Sequence, residues 1–148
     1  MSQNTTRELG RVPVAGLLLS LAGLAVSTYL TVAHFRQGAL LCAEGEVIDC
    51  GTVTTSDQSE LLGVPVAVLG LAFFAFLTVA TLPFAWRVEA LHWARLAAAG
   101  VGVLFVVYLV AAEFLLIGKI CLWCTAVHVI TLALAAVLVT GALRRSSL

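Results

Sequence analysis

Charge is what this sequence has least of. Its 148 residues hold eight Lys or Arg and eight Asp or Glu, 11% in all, against 61% hydrophobic residues. Soluble domains carry about 25% charged and 45–50% apolar residues. A chain so poor in charge cannot cover a water-facing surface, so a membrane protein is the first-order reading. The net charge is zero and the basic residues are scattered, which leaves nucleic-acid binding without support. The apolar runs also lack an alternation of period two, and that excludes a transmembrane barrel.

The places without charge mark the spans. Val12 to Phe35 is 24 residues without Asp, Glu, Lys or Arg, Leu61 to Trp86 is 26, and Ile120 to Leu143 is 24. Leu96 to Gly118 is interrupted by Glu113 alone. A spanning helix needs about 20 apolar residues, and backbone groups in lipid must bond within their own segment. The sequence therefore predicts an all-α membrane protein. It is one domain over 1–148, a bundle of four transmembrane helices at about 12–35, 63–86, 96–118 and 120–143. An outer loop at 36–62 is predicted to carry a short helix or cap. Residues 1–11 are polar and expected to be frayed. The first run exceeds the 7–15 apolar residues of a signal peptide, which disfavours cleavage there.

Lys and Arg favour the cytoplasmic side. Arg7 and Arg11 precede the first helix, Arg87 and Arg95 flank the second connection, and Arg144 and Arg145 follow the last helix. Both termini are thus expected in the cytoplasm, in a multi-pass protein of the cell membrane. The opposite face carries Arg36 and Lys119 among Glu44, Glu46, Asp49, Asp57 and Glu60. All four cysteines fall on that outer, periplasmic or extracellular side, where disulfides persist.

Cysteine too is scarce, and its placement is informative. Cys121 and Cys124 form a Cys-x-x-Cys at the head of the last apolar run. At a first helical turn the backbone N–H groups and the helix dipole stabilise a thiolate. Cys42 and Cys50 lie eight apart in the outer loop, a spacing that permits a disulfide. A Cys-x-x-Cys alone also suits zinc, but the loop pair is spaced too widely for an ordinary loop zinc site. Two pairs on one side of a four-helix protein suggest an electron relay. The exposed pair exchanges with a protein thiol in water through a mixed disulfide. The pair at the helix head meets a lipid-soluble acceptor of two electrons and two protons, for which a quinone such as ubiquinone or menaquinone fits. A non-enzymatic tetraspan protein with structural disulfides, or with a thiolate metal site, is the alternative reading.

Other residues carry weaker signals. Gly16, Ser20, Gly23 and Ser27 suit close helix packing, and Gly70 reads as a close-packing point. Tyr29 reads as an interface anchor, and His34 as a wet interfacial histidine. Pro65 suits a first helical turn. The hydroxyls of 52–56 suit capping or ligand binding. Glu113, at membrane depth, is either a functional acid or a side chain reaching to the interface. His128 shares a helix face with Cys124, one turn on.

Together these residues resemble the vitamin K epoxide reductase family in its bacterial disulfide-forming branch. The matching pattern is Cys42 and Cys50, then Val53 and Ser56 in Cys50-x-x-Val-x-x-Ser. Gly63-x-Pro65, Gly70, Tyr108-Leu109 and Ile120-Cys121-x-x-Cys124 follow. The resemblance implies a four-helix bundle around a quinone site at the outer surface, covered by the loop. It implies that Cys42 accepts attack from a reduced partner, and that Cys50 passes electrons through a transient Cys50–Cys121 disulfide. Cys124 would be the quinone-proximal sulfur. Ser56 matches a pocket serine, with Val53 and Thr54 beside it. Val66 stands where animal members have an asparagine, and His128 where they have a tyrosine. The expected site is therefore Cys42, Cys50, Cys121 and Cys124 for catalysis, with Val53, Ser56, Val66 and His128 around the quinone and no metal. The expected partner is a separate thioredoxin-fold oxidase of the DsbA type. The unrelated DsbB type puts its Cys-x-x-Cys in the first outer loop, and the order of pairs here disfavours it.

Overall fold

The computed structural model describes residues 2–36 and 38–147, with backbone alone for 2–9. Five α-helices carry the chain: α1 Ser2–Phe35, α2 Cys50–Thr54, α3 Val66–Ala80, α4 Glu89–Ala112 and α5 Leu122–Ser146. A two-stranded hairpin, β1 Glu60–Leu61 and β2 Val64–Pro65, precedes α3. α1 packs between α3 and α5, α4 packs mainly on α5, and α3 and α4 touch less closely.

Three stretches, Gly10–Phe35, Glu89–Ile117 and Leu122–Ser146, are helices long and apolar enough to cross a membrane. The run expected to span at 63–86 is shorter. It is helical over the 15 residues of α3, about 22 Å at 1.5 Å per residue. Leu82 then leaves the helical region, and Pro83 starts a separate 3-10 turn to Arg87. The cause is local, because the residue before a proline is pushed out of helical geometry. At the other end Pro65 caps α3 rather than joining its first turn.

Two further boundaries correct the sequence reading. The backbone of 2–11 continues α1 as helix, ahead of the expected start at about 12. α4 starts at Glu89, seven residues before the apolar run. Arg95 therefore lies inside a helix and is 1% exposed, where a loop-flanking arginine was expected. Its Nη1 donates to the carbonyls of Ala80, at 2.7 Å, and Ala85, at 3.3 Å, and its guanidinium stacks 4.1 Å from the Trp86 ring centre.

The core is formed by Phe74, Leu77, Ala99, Leu134, Ala135 and Leu138 from α3, α4 and α5. In lipid, burial of apolar surface drives little; close van der Waals fit does the work. Gly23 shows this. A Cβ there would overlap the Phe74 ring, so the glycine lets α1 and α3 approach. Ser20 and Ser27 are fully buried on the same side of α1.

The loop is anchored at several points. Ile48 pairs with Ile120 as a parallel bridge: Asp49 N donates to the Ile120 carbonyl, and Ile120 N to the Val47 carbonyl, both at 3.0 Å. Tyr29, expected as an interface anchor, grips the loop. Its hydroxyl accepts from Leu41 N at 2.7 Å and donates to the Ala39 carbonyl at 3.2 Å. Trp123 Nε1 donates to the Leu41 carbonyl at 2.7 Å, with the two rings 4.8 Å apart.

Candidate functional site

The site is assembled at the head of α5. Cys121 is its N-cap, and its sulfur accepts from Cys124 N at 3.3 Å. The turn before it is unusual. α4 widens into a π-helical turn, Glu113–Ile117, closed by Gly118 N donating to the Glu113 carbonyl at 2.8 Å. Gly118 has φ 70°, a left-handed conformation that glycine adopts without strain. The chain thereby reverses into Lys119 and Ile120, where the loop bridge holds it. A π turn often marks a functional site. Here it places Glu113 inside the protein, 5% exposed. An inward-facing carboxyl, not one reaching to the interface, is what the structure shows.

α2 brings the loop pair to the same place. Asp49 caps it: the carboxylate accepts from Thr52 N at 2.9 Å and from the Thr52 hydroxyl at 2.7 Å. These bonds to Thr52 hold the Asp49 carboxyl below its usual range. Cys42 and Cys50 are joined in a disulfide with Cα atoms 6.2 Å apart, while Cys121 and Cys124 are free thiols. Cys50, Val53 and Cys121 form one buried cluster, with Cys42, Ile117, Trp123 and Cys124 packed against it. Cys50 and Cys121 are both 0% exposed, whereas Cys42 is half-buried.

Two influences act on the Cys121 thiol. The hydrogen bond from the Cys124 side chain stabilises its thiolate, aided by backbone N–H groups of Cys124 and Trp123, and burial opposes this. The hydrogen bonding wins, and Cys121 is pulled below the ordinary thiol range.

Beneath the cluster lies a cavity of about 340 Å³ between α3 and α4, walled on the far side by α1 and α5. Small-molecule sites are typically about 300–1,000 Å³, largely apolar, with a few placed polar groups. Val53, Ser56, Val66, Cys124 and His128 all line it, as do Glu113 and His34. Cys42, Cys50 and Cys121 do not. The structure thus separates the four sulfurs: one faces the cavity, two are sealed, and one is half-exposed at the surface. The hydroxyls of 54–56, read from sequence as candidate ligand contacts, are engaged in their own turns. Thr54 donates to the Cys50 carbonyl at 2.7 Å, Thr55 to that of Gly51 at 2.8 Å, and Ser56 to that of Val53 at 2.8 Å. Their oxygens retain the capacity to accept a bond. His34, read as a wet interfacial residue, lies 4.0 Å from Glu60 at the rim.

The sequence singled out Tyr29 as an interface anchor and Lys119 as a charge of one face, but not the loop-holding role that they share with Trp123. Lys119 Nζ donates to the Glu46 carbonyl at 2.6 Å. For Trp123 and Lys119, within two residues of Cys121, proximity to a cysteine was the available hint. Among the described residues, no three side chains of His, Cys, Asp or Glu gather as a metal site.

The model of the vitamin K epoxide reductase family matches residues 14–139. No curated protein matches the chain. The chain belongs to the vitamin K epoxide reductase family, and it is a membrane protein of oxidoreductase type.

Proposed function

Starting from membership of the vitamin K epoxide reductase family, we propose that this protein reoxidises a thioredoxin-fold partner of the DsbA type on the outer side of the membrane. It passes the electrons to a membrane quinone and so drives disulfide formation. The observation that carries this reading is the packing of Cys50 against Cys121, both fully buried, between a half-open Cys42 and a cavity-lining Cys124. The cavity suits a quinone because its wall is apolar, with Cys124, Glu113 and His128 as its reactive or polar points. A quinone there supplies a sink for two electrons and two protons.

The chain's own residues do the rest. A partner thiolate attacks Cys42, the reachable sulfur of the Cys42–Cys50 disulfide, and releases Cys50 as thiolate. The partner's second thiol then attacks its own sulfur in the mixed disulfide, leaving as a disulfide and returning Cys42 as thiol. Cys50 next attacks Cys121 of the oxidised helix-head pair, forming Cys50–Cys121 and releasing Cys124. Cys42 attacks Cys50, which restores the loop disulfide and leaves Cys121 and Cys124 reduced. That last state, loop oxidised and helix head reduced, has the pairing seen in the structure. Thiol–disulfide exchange proceeds by direct thiolate attack, and a depressed Cys121 pKa makes it both a ready nucleophile and a good leaving group. Glu113 and His128, beside Cys124, are the groups positioned to deliver protons. Ser56, Val53 and Val66 shape the wall on the loop and α3 sides.

The orientation follows the basic residues, with the cysteines outside and both termini in the cytoplasm. α3 with its 3-10 extension serves as the fourth span of a single four-span domain. The test is trapping. In Cys124→Ala the Cys121 thiolate attacks the loop disulfide and has no neighbour to resolve it, so mass spectrometry should find Cys50–Cys121 enriched. Finding Cys42–Cys50 alone in that variant would count against the relay.

A further inference from the structure

A second cavity lies at the other end of the bundle, far from the cysteines. It encloses about 210 Å³ between α1, α4, α5 and the 3-10 turn, and Arg95, Arg145, His92, Trp86, Pro13 and Gly141 are in its wall. α5 runs from Leu122 to Ser146, so its arginine end stands roughly 35 Å along the axis from Cys121. That distance exceeds the hydrocarbon thickness of about 30 Å. Arg145 therefore reaches the headgroup level of the opposite leaflet.

Arg95 is the unexplained group in this cavity. It is 1% exposed, yet no carboxylate pairs with it among the described residues. Its Nη1 is used by the Ala80 and Ala85 carbonyls, and its guanidinium carbon lies over the Trp86 ring. Its Nη2 is buried with no hydrogen-bond partner among the described residues. A buried, uncompensated cation is costly, and so is an orphaned donor. The carbonyls of Ala80, at the end of α3, and of Ala85, in the 3-10 turn, offset part of that cost; they bring partial, not full, negative charge. Arg145 adds a second cation to the same wall, 3.8 Å from Glu89 and still half-exposed. Arg95, Arg145 and Glu89 together leave one net positive charge, with His92 as a further donor.

We propose that this cavity binds a phosphate-type oxyanion, clamped between Arg95 and Arg145. A rigid guanidinium with a free N–H suits a phosphate oxygen. Basic pockets between transmembrane helices near the headgroups are suited to anionic lipids. The phosphate comes either from a phospholipid headgroup of the adjacent leaflet or from free phosphate in solution. The inference is independent of the cysteine chemistry.

The test uses the full chain purified in a neutral detergent, with thermal unfolding as readout. Phosphatidylglycerol is titrated in one arm, inorganic phosphate against chloride at equal ionic strength in a second, and diacylglycerol serves as the phosphate-free lipid. The expected result is a saturable rise in Tm with phosphatidylglycerol, with inorganic phosphate, or with both, and none with diacylglycerol. A rise with lipid alone assigns the headgroup; a rise with inorganic phosphate assigns the free anion. Arg145→Gln should raise the midpoint concentration about tenfold, which is about 1.4 kcal/mol. Arg95→Gln should abolish the response, and if it does not fold, Arg95→Lys should weaken it. Arg87→Gln, an exposed arginine outside the cavity, should leave the midpoint in place. Absence of any rise overturns the proposal. So does an unchanged midpoint in Arg145→Gln, or an equal loss in Arg87→Gln.

Discussion

Cys121 and Cys124 are three residues apart and chemically unlike. Cys121 is sealed at a helix cap with hydrogen bonds aimed at its sulfur, and Cys124 faces a cavity. A hydrogen bond to the thiolate stabilises the charged form and lowers the pKa. The Cys121 thiolate should therefore persist below the ordinary thiol value of about 8.5. In a Cys42→Ser, Cys50→Ser background, where the loop cannot capture Cys121, Cys124→Ala removes the main stabilising bond, so the midpoint of ultraviolet thiolate absorbance should move to higher pH. A midpoint that stays put would assign the shift to the helix cap alone. Glu113 offers a second test. Gln keeps its shape and has no proton to give, so Glu113→Gln should lower quinone reduction by about 10²-fold or more. Yields of trapped Cys50–Cys121 should not change, because that exchange precedes proton delivery to the cavity. Cysteine spacing was legible in the sequence, since a pair three apart at a helix head needs only local geometry. The inward turn of Glu113 was not, because it depends on a π turn and on a neighbouring wall that no local pattern encodes. Arg95 eluded the sequence in the same way: its burial follows from an early start of α4 and from Trp86 across the connection.

Elements are positioned by a few close contacts. Gly23 admits the Phe74 ring, so Gly23→Ala should cost about 1–3 kcal/mol of overpacking, measured by reversible unfolding in mixed micelles. The same change at Gly10, where an added Cβ meets nothing within 4 Å, should cost nothing, because alanine favours the helix over glycine; an equal cost there would overturn the packing account. The loop elements depend on polar bonds instead. Asp49 caps α2 as a carboxylate with a depressed pKa. Its contribution is complete above the unfolded value near 3.9 and is lost as pH falls through the lower folded value. Hydrogen exchange at 50–54 should accelerate in Asp49→Ala at neutral pH, and the difference from wild type should narrow in acid. The helical runs were readable from charge-free stretches. The 15-residue length of α3 was missed because the span was measured by its charge-free run, which continues past Pro83; the proline itself is a local stop signal.

The whole molecule has two unlike ends. One gathers four sulfurs and a loop; the other gathers arginines. Reporter fusions should put both termini in the cytoplasm: a fluorescent protein at residue 148 should fold and glow, and alkaline phosphatase there should be silent. The reverse pattern would invert the electron path. Membrane character was legible at this scale because composition alone determines it. How the loop reaches the last helix was not, because the Ile48–Ile120 bridge and the Leu41–Trp123 bond join residues far apart in the chain. That fastening has a consequence for biogenesis. Leu41 and Trp123 are 82 residues apart, and synthesis runs at about 5–20 residues per second. The loop cysteines therefore wait roughly 4–16 s before their counterpart is made. Maturation is ordered by the ribosome, and a nascent chain cut short before α5 displays one thiol pair with no outlet for its electrons.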